Sequence, residues 1–96
     1  MDLKQLRYFH EIVRLGSFTR AAEALHLAQP AISVAIRKLE AELELQLFQR
    51  HDRKVSLTAE GERLWLHAQR ILQAAEDARL EMQELKGLSK GAVRVG

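Results

Sequence analysis

Between residues 64 and 85 the chain repeats apolar side chains at intervals that suit one kind of structure. Leu64, Ala68, Ile71, Ala75, Ala78, Met82 and Leu85 follow one another at spacings of 4, 3, 4, 3, 4 and 3. That alternation puts every member on one stripe of an α-helix and is the a/d seam of a coiled coil. No proline falls between Thr58 and Lys86, so a helix over that span would run about 43 Å at 1.5 Å per residue. With 96 residues the chain has the size of one small domain. So small a domain cannot cover the rod with its own helices. The seam predicts a partner, and a second copy of the chain is the simplest one. Leu64, Ala68, Ile71, Ala75, Ala78, Met82 and Leu85 are therefore the expected dimerisation set.

Upstream, three shorter helical patterns come in quick succession. Leu3, Leu6, Phe9 and Val13, widened by Ile12, make an apolar stripe over 3–15, and Gly16 follows as a C-terminal stop. Ser17 is a fitting N-cap for a helix over 18–25, with Phe18, Ala21, Ala22 and Leu25 inward. After His26-Leu27-Ala28, Pro30 sits in the first turn of a third helix, where its missing N–H costs nothing. Ile32, Ala35, Ile36, Leu39 and Leu43 carry its buried stripe to about residue 44. Two helices joined by so short a turn have helix-turn-helix spacing.

The period then changes. Leu45 and Leu47, and later Val55 and Leu57, alternate with polar residues around His51-Asp52-Arg53-Lys54, which predicts a two-stranded hairpin with a charged tip. Thr58 is the expected N-cap of the long helix, with Glu60 and Glu62 favouring its positive dipole end. Trp65 and Leu66 are expected to pack its start onto the three-helix core. Gly87-Leu88 predicts its end, Ser89-Lys90-Gly91 a joint, and Val93-Arg94-Val95 the beginning of a strand that enters a further domain. The expected fold is mainly α: a winged helix-turn-helix over 1–58, a linker helix over 59–87, and a hinge with the start of another domain over 88–96.

Several functions find no support. There is no cysteine, hence no disulfide framework, thiolate nucleophile or cysteine-bound zinc. His10, His26, His51 and His67 lack metal-ligand spacing, Glu60 and Glu62 point to different faces, and no glycine-rich phosphate loop or nucleophile elbow occurs. The reading is not an enzyme, with no cofactor and no metal. No apolar run approaches the roughly 20 residues of a membrane span, and the N-terminus lacks the apolar core of a signal peptide. A cytoplasmic location is expected. Fifteen Lys+Arg against thirteen Asp+Glu give +2 and a pI near 9.3, which permits nucleic acid without demanding it.

Where the charges fall matters more. Opposite the buried stripe of the third helix lie Gln29, Pro30, Ser33, Val34, Arg37 and Lys38, with donors and acceptors that suit base edges in a major groove. Its cations precede Glu40, Glu42 and Glu44, so only its N-terminal two-thirds can approach phosphate without repulsion. Arg50, Arg53 and Lys54 give the hairpin tip a positive charge that suits phosphate or a minor groove. Polar helix faces and basic turns also occur without any ligand. A winged-helix dimerisation or protein-interaction module without DNA affinity is therefore the competing reading.

Leu6-x-x-Phe9, Gly16-Ser17-Phe18-Thr19-x-Ala21-Ala22-x-x-Leu25, Gln29-Pro30-Ala31-Ile32-Ser33 and Ile36-x-x-Leu39-Glu40 resemble the N-terminal domain of LysR-type transcriptional regulators. So do Leu47-Phe48-x-Arg50 and Val55-x-Leu57-Thr58-x-x-Gly61, and together they span essentially the whole chain. The resemblance implies a dimer formed by antiparallel linker helices that binds an interrupted palindrome in double-stranded DNA. It implies that Gln29, Pro30 and Ser33 contact bases, that Val34 and Arg37 tune the sequence read, and that Arg53 enters the minor groove. Thr19 and Arg20 are expected at phosphate, and Arg50 to brace the wing. A small-molecule effector is implied for a domain beyond residue 96, with RNA polymerase as a further expected contact. Two positions depart from the family pattern. Val34 replaces a long polar or basic residue and cannot hydrogen-bond a base, although it can pack on a thymine methyl. Glu44 stands where glycine is usual, so a left-handed backbone there would be strained.

Overall fold

Asp2 opens the first helix with a reciprocal cap. Its carboxylate accepts from the Gln5 N–H at 2.8 Å, and the Gln5 side chain accepts from the Asp2 N–H at 3.0 Å. In this computed structural model, which describes residues 1–49 and 54–95 and side chains as far as Leu88, helix α1 spans Leu3–Leu15. Helix α2 spans Phe18–Ala24, α3 Gln29–Leu43 and α4 Ala59–Val95. Gly16 closes α1 in the left-handed region, at φ 67°, and Ser17 caps α2 through the Arg20 N–H.

Phe9, Ile12, Ile32, Leu39 and Leu47 are the largest fully buried side chains. Helix α1 lies against each of the other three helices. The buried Ala21–Ala22 pair in α2 has small side chains, which permit the close helix approach a helix-turn-helix needs. Leu3, placed on the inward stripe by its spacing, is 45% exposed. It sits in the first helical turn, before the chain has reached the core.

The turn between α2 and α3 is held by backbone alone. His26 adopts φ 58°, while Leu27 N–H donates to Ala22 O at 2.8 Å and His26 N–H to Glu23 O at 3.2 Å. These are the two crossed bonds of a Schellman closure. Helix α3 ends in the same way: Glu44 adopts φ 56°, and Leu45 N–H reaches Glu40 O at 3.2 Å. The chain keeps the left-handed turn at Glu44 and accepts the strain of a non-glycine residue.

Two expected elements differ. The hairpin over 47–57 has no regular strand among the described residues; a single antiparallel bridge joins Phe48 and Leu57. Its flanking bonds run from Gln49 N–H to Ser56 O at 2.9 Å and from Thr58 N–H to Leu47 O at 3.0 Å. Among the described residues a single bridge gives too few ladder bonds to count as strands. The base is anchored instead by Phe48, whose ring packs on Phe9 at 5.4 Å and on Phe18 at 5.3 Å. The tip residues Arg50, His51, Asp52 and Arg53 lie outside the described residues.

The long helix does not stop at Gly87 but runs on to Val95. Gly87 has no left-handed φ, and an αL residue is what most often reverses the chain at a helix end.

Candidate nucleic-acid interface

Helix α3 presents one face to solvent because its opposite face is pinned. Ile32, Ile36 and Leu39 are buried, and so is Glu40, at 6% exposure. At about 100° per residue, Pro30, Val34, Arg37 and Ala41 lie farthest from that core. Gln29 and Ser33 flank them on one side and Lys38 on the other. All are exposed except the half-buried Ser33. Gln29 Nε2 donates to Ser33 Oγ at 3.1 Å, which orients the amide at the N-terminal turn before any ligand arrives. Phe18 of α2 joins Gln29, Ser33, Ile36 and Arg37 around an open cleft beside this turn. Thr19 and Arg20 are exposed at the start of α2, and Lys54 is exposed at the near end of the wing. Arg53 lies outside the described residues.

The acidic end of α3 has structural work that spacing did not reveal. The Glu40 carboxylate accepts from Leu47 N–H at 2.7 Å and from Phe48 N–H at 3.4 Å. It therefore hangs the base of the wing on the recognition helix and fixes their relative placement. The signal was present as a glutamate on the edge of an apolar stripe, but its backbone partners are known only from the fold. Glu42 is held charged from outside: the Met1 ammonium and Gln5 Nε2 hydrogen-bond to it and keep its carboxyl below the usual carboxylate range. On α1, Arg14 does the same for Glu11 through two hydrogen bonds, at 2.9 and 2.8 Å.

Thr58 caps α4 as expected, accepting from Gly61 N–H at 2.9 Å, and it donates to Gln46 O at 2.6 Å. Gly61, the last residue of the Val55–Gly61 motif, is required for a steric reason. A Cβ there would sit 2.1 Å from the Leu47 carbonyl oxygen, so only glycine lets the helix start against the wing.

The predicted dimerisation set divides into two groups. Ala68 is completely buried within the chain, so it has no surface left for a partner. Leu64 and Ile71 pack on the core, and Ala75 is half-buried. Ala78 is exposed, with Met82 at 56% and Leu85 at 51% exposure. The period identified a stripe but not what covers it, and α1 covers its first half. Trp65 packs inward as expected, stacking on His10 at 4.8 Å. Leu66 turns outward at 49% exposure, because it lies on the far side of the helix from Ala68.

No cluster among the described residues has the three ligands a metal site needs. No described helix is long and apolar enough to cross a membrane.

Comparison with known proteins agrees with this geometry. The family model described as "Bacterial regulatory helix-turn-helix protein, lysR family" matches residues 3–62. The RuBisCO operon transcriptional regulator of Allochromatium vinosum is 41% identical over 95 residues, covering 99% of this chain and 32% of that protein. The chain thus spans about a third of its relative's length. Among solved structures, the BenM DNA-binding domain in complex with catB site 1 DNA superposes with a TM-score of 0.85. It is 38% identical over 88% of this chain and 96% of that one. The DNA-binding domain of CbnR, also in a DNA complex, gives 0.80 at 34% identity, covering 88% of this chain and 97% of that one. The chain belongs to the lysR family of bacterial regulatory helix-turn-helix proteins.

Proposed function

We propose that this domain recognises a specific interrupted palindrome as a homodimer, each copy placing α3 in a major groove and its wing against the adjacent minor groove. The observation that carries the reading is the exposed, cation-bearing N-terminal part of α3, with Gln29 and Ser33 already oriented toward one another. Two copies would set their recognition helices about 34–36 Å apart on one face of the duplex. Thr19, Arg20 and Lys38 would hold phosphate, while Gln29, Pro30, Ser33, Val34 and Arg37 would meet base edges. Arg53 and Lys54 would serve the wing. The exposed Ala78, Met82 and Leu85, continuing from the half-buried Ala75, would form the dimer contact. Residues 88–96 would lead to a domain that binds a small-molecule effector in the cytoplasm, and the assembled regulator would meet RNA polymerase.

In vitro selection of random duplexes at near-physiological salt tests the reading. A two-fold-symmetric site should be enriched, and Gln29→Ala should weaken it by roughly 1–3 kcal/mol relative to random DNA. Salt-sensitive binding with no enriched site would favour the interaction-module alternative instead.

A further inference from the structure

The recognition helix of this chain has an apolar centre. Val34 is 45% exposed at the middle of the face turned away from the core, with Pro30 one turn before it and Ala41 two turns after. A shallow open groove is lined by Val34, Arg37, Lys38 and Ala41. The polar readers Gln29 and Ser33 lie to one side and are bonded to each other. Of the two cations beside the groove, Lys38 suits the phosphate backbone and Arg37 a base edge.

An isopropyl group at that place can neither donate nor accept. Of the features a base pair presents in the major groove, only the C5-methyl of a pyrimidine is its match. Pressed on a cytosine amino group or an adenine N6 instead, it would strip water from a donor and leave that donor without a partner. Valine also has essentially one χ1 rotamer in a helix, so the contact comes from a rigid knob rather than an adaptable chain. Building on the DNA-reading function proposed above, we infer that Val34 selects a 5-methylpyrimidine near the centre of each half-site. Thymine is the natural occupant, and 5-methylcytosine meets the same requirement. The domain is accordingly sensitive to a single methyl group in its operator.

The experiment replaces each thymine of the selected operator, one at a time, by deoxyuridine, which removes the methyl and keeps base pairing. One thymine in each half-site should show about a fourfold loss of binding, the value of one buried methyl. With Val34→Ala, whose circular-dichroism melt should match the parent because the side chain is exposed, that loss should nearly vanish while other thymines behave as before. Replacing the same pair by C·G should weaken parent binding, and 5-methylcytosine at that position should recover about fourfold, with no recovery for Val34→Ala. If an operator is enriched but no thymine shows a methyl effect that depends on Val34, the inference is overturned and DNA reading stands. If no operator is enriched, both fail together.

Discussion

The two ends of α4 have similar sequence patterns and different lives. Both carry small and apolar residues on one heptad stripe, and each contains glycine. At the N-terminal end Ala68 is completely buried, and a Cβ on Gly61 would meet the Leu47 carbonyl oxygen. At the C-terminal end Met82 and Leu85 are more than half exposed, and Gly87 has nothing within 4 Å. The first end is part of a core made by this chain, while the second projects along the 64 Å axis of the molecule. One hydrophobic repeat therefore serves two purposes, and a regular period says only that a face will be covered.

The sharpest break of that comparison is a charge on each end. Ala68→Glu should cost about 3 kcal/mol or more, since it buries an ion with no partner, and thermal unfolding will read it. Met82→Glu combined with Leu85→Glu should leave the helical core folded and sediment as a monomer. Equal destabilisation by both variants would erase the distinction between the two halves. Smaller, but on the same axis, Gly61→Ala should lose about 1–3 kcal/mol in denaturant unfolding because the wing base must shift.

Two milder substitutions sharpen the picture. Glu44→Gly should stabilise the domain by roughly 1 kcal/mol, by relieving a left-handed non-glycine residue at φ 56°. A loss of stability would mean that the Glu44 side chain contributes more than its backbone costs. Gly87→Ala should have the smallest effect, up to about 1 kcal/mol of extra helix stability. It should appear as greater far-ultraviolet helicity with no change in the unfolding of the core.

Much of the architecture could be read from local chemistry. Helix α1 runs over Leu3–Leu15, as its stripe and Gly16 required. Ser17, Pro30 and Thr58 mark helix starts through the groups each supplies or lacks. At Glu44 the sequence left open whether the turn is left-handed, and the fold decides it at φ 56°. The exposed face of α3 was legible too, because helical periodicity alone separates Ile32, Ile36 and Leu39 from Val34, Arg37 and Lys38. The wing was over-read: alternation predicted strands, but among the described residues a single bridge, Phe48–Leu57, is formed. The end of α4 was misjudged because Gly87 does not make the left-handed turn by which glycine commonly closes a helix.

Some decisions needed atoms brought together from distant parts of the chain. Glu40 reads as one of three acidic residues near the end of α3, yet it alone turns inward to hold the Leu47 and Phe48 N–H groups. Gly61 reads as a weak helix residue until the Leu47 carbonyl is placed against it. Leu66 and Ala68 are two apart, and only the position of α1 decides that the alanine is buried and the leucine is not. Caps, turns and periods depend on neighbours within a few residues, so the order of amino acids carries them directly. Coverage, close approach and the pairing of a buried carboxylate depend on contacts between segments, and these exist only once the helices have packed.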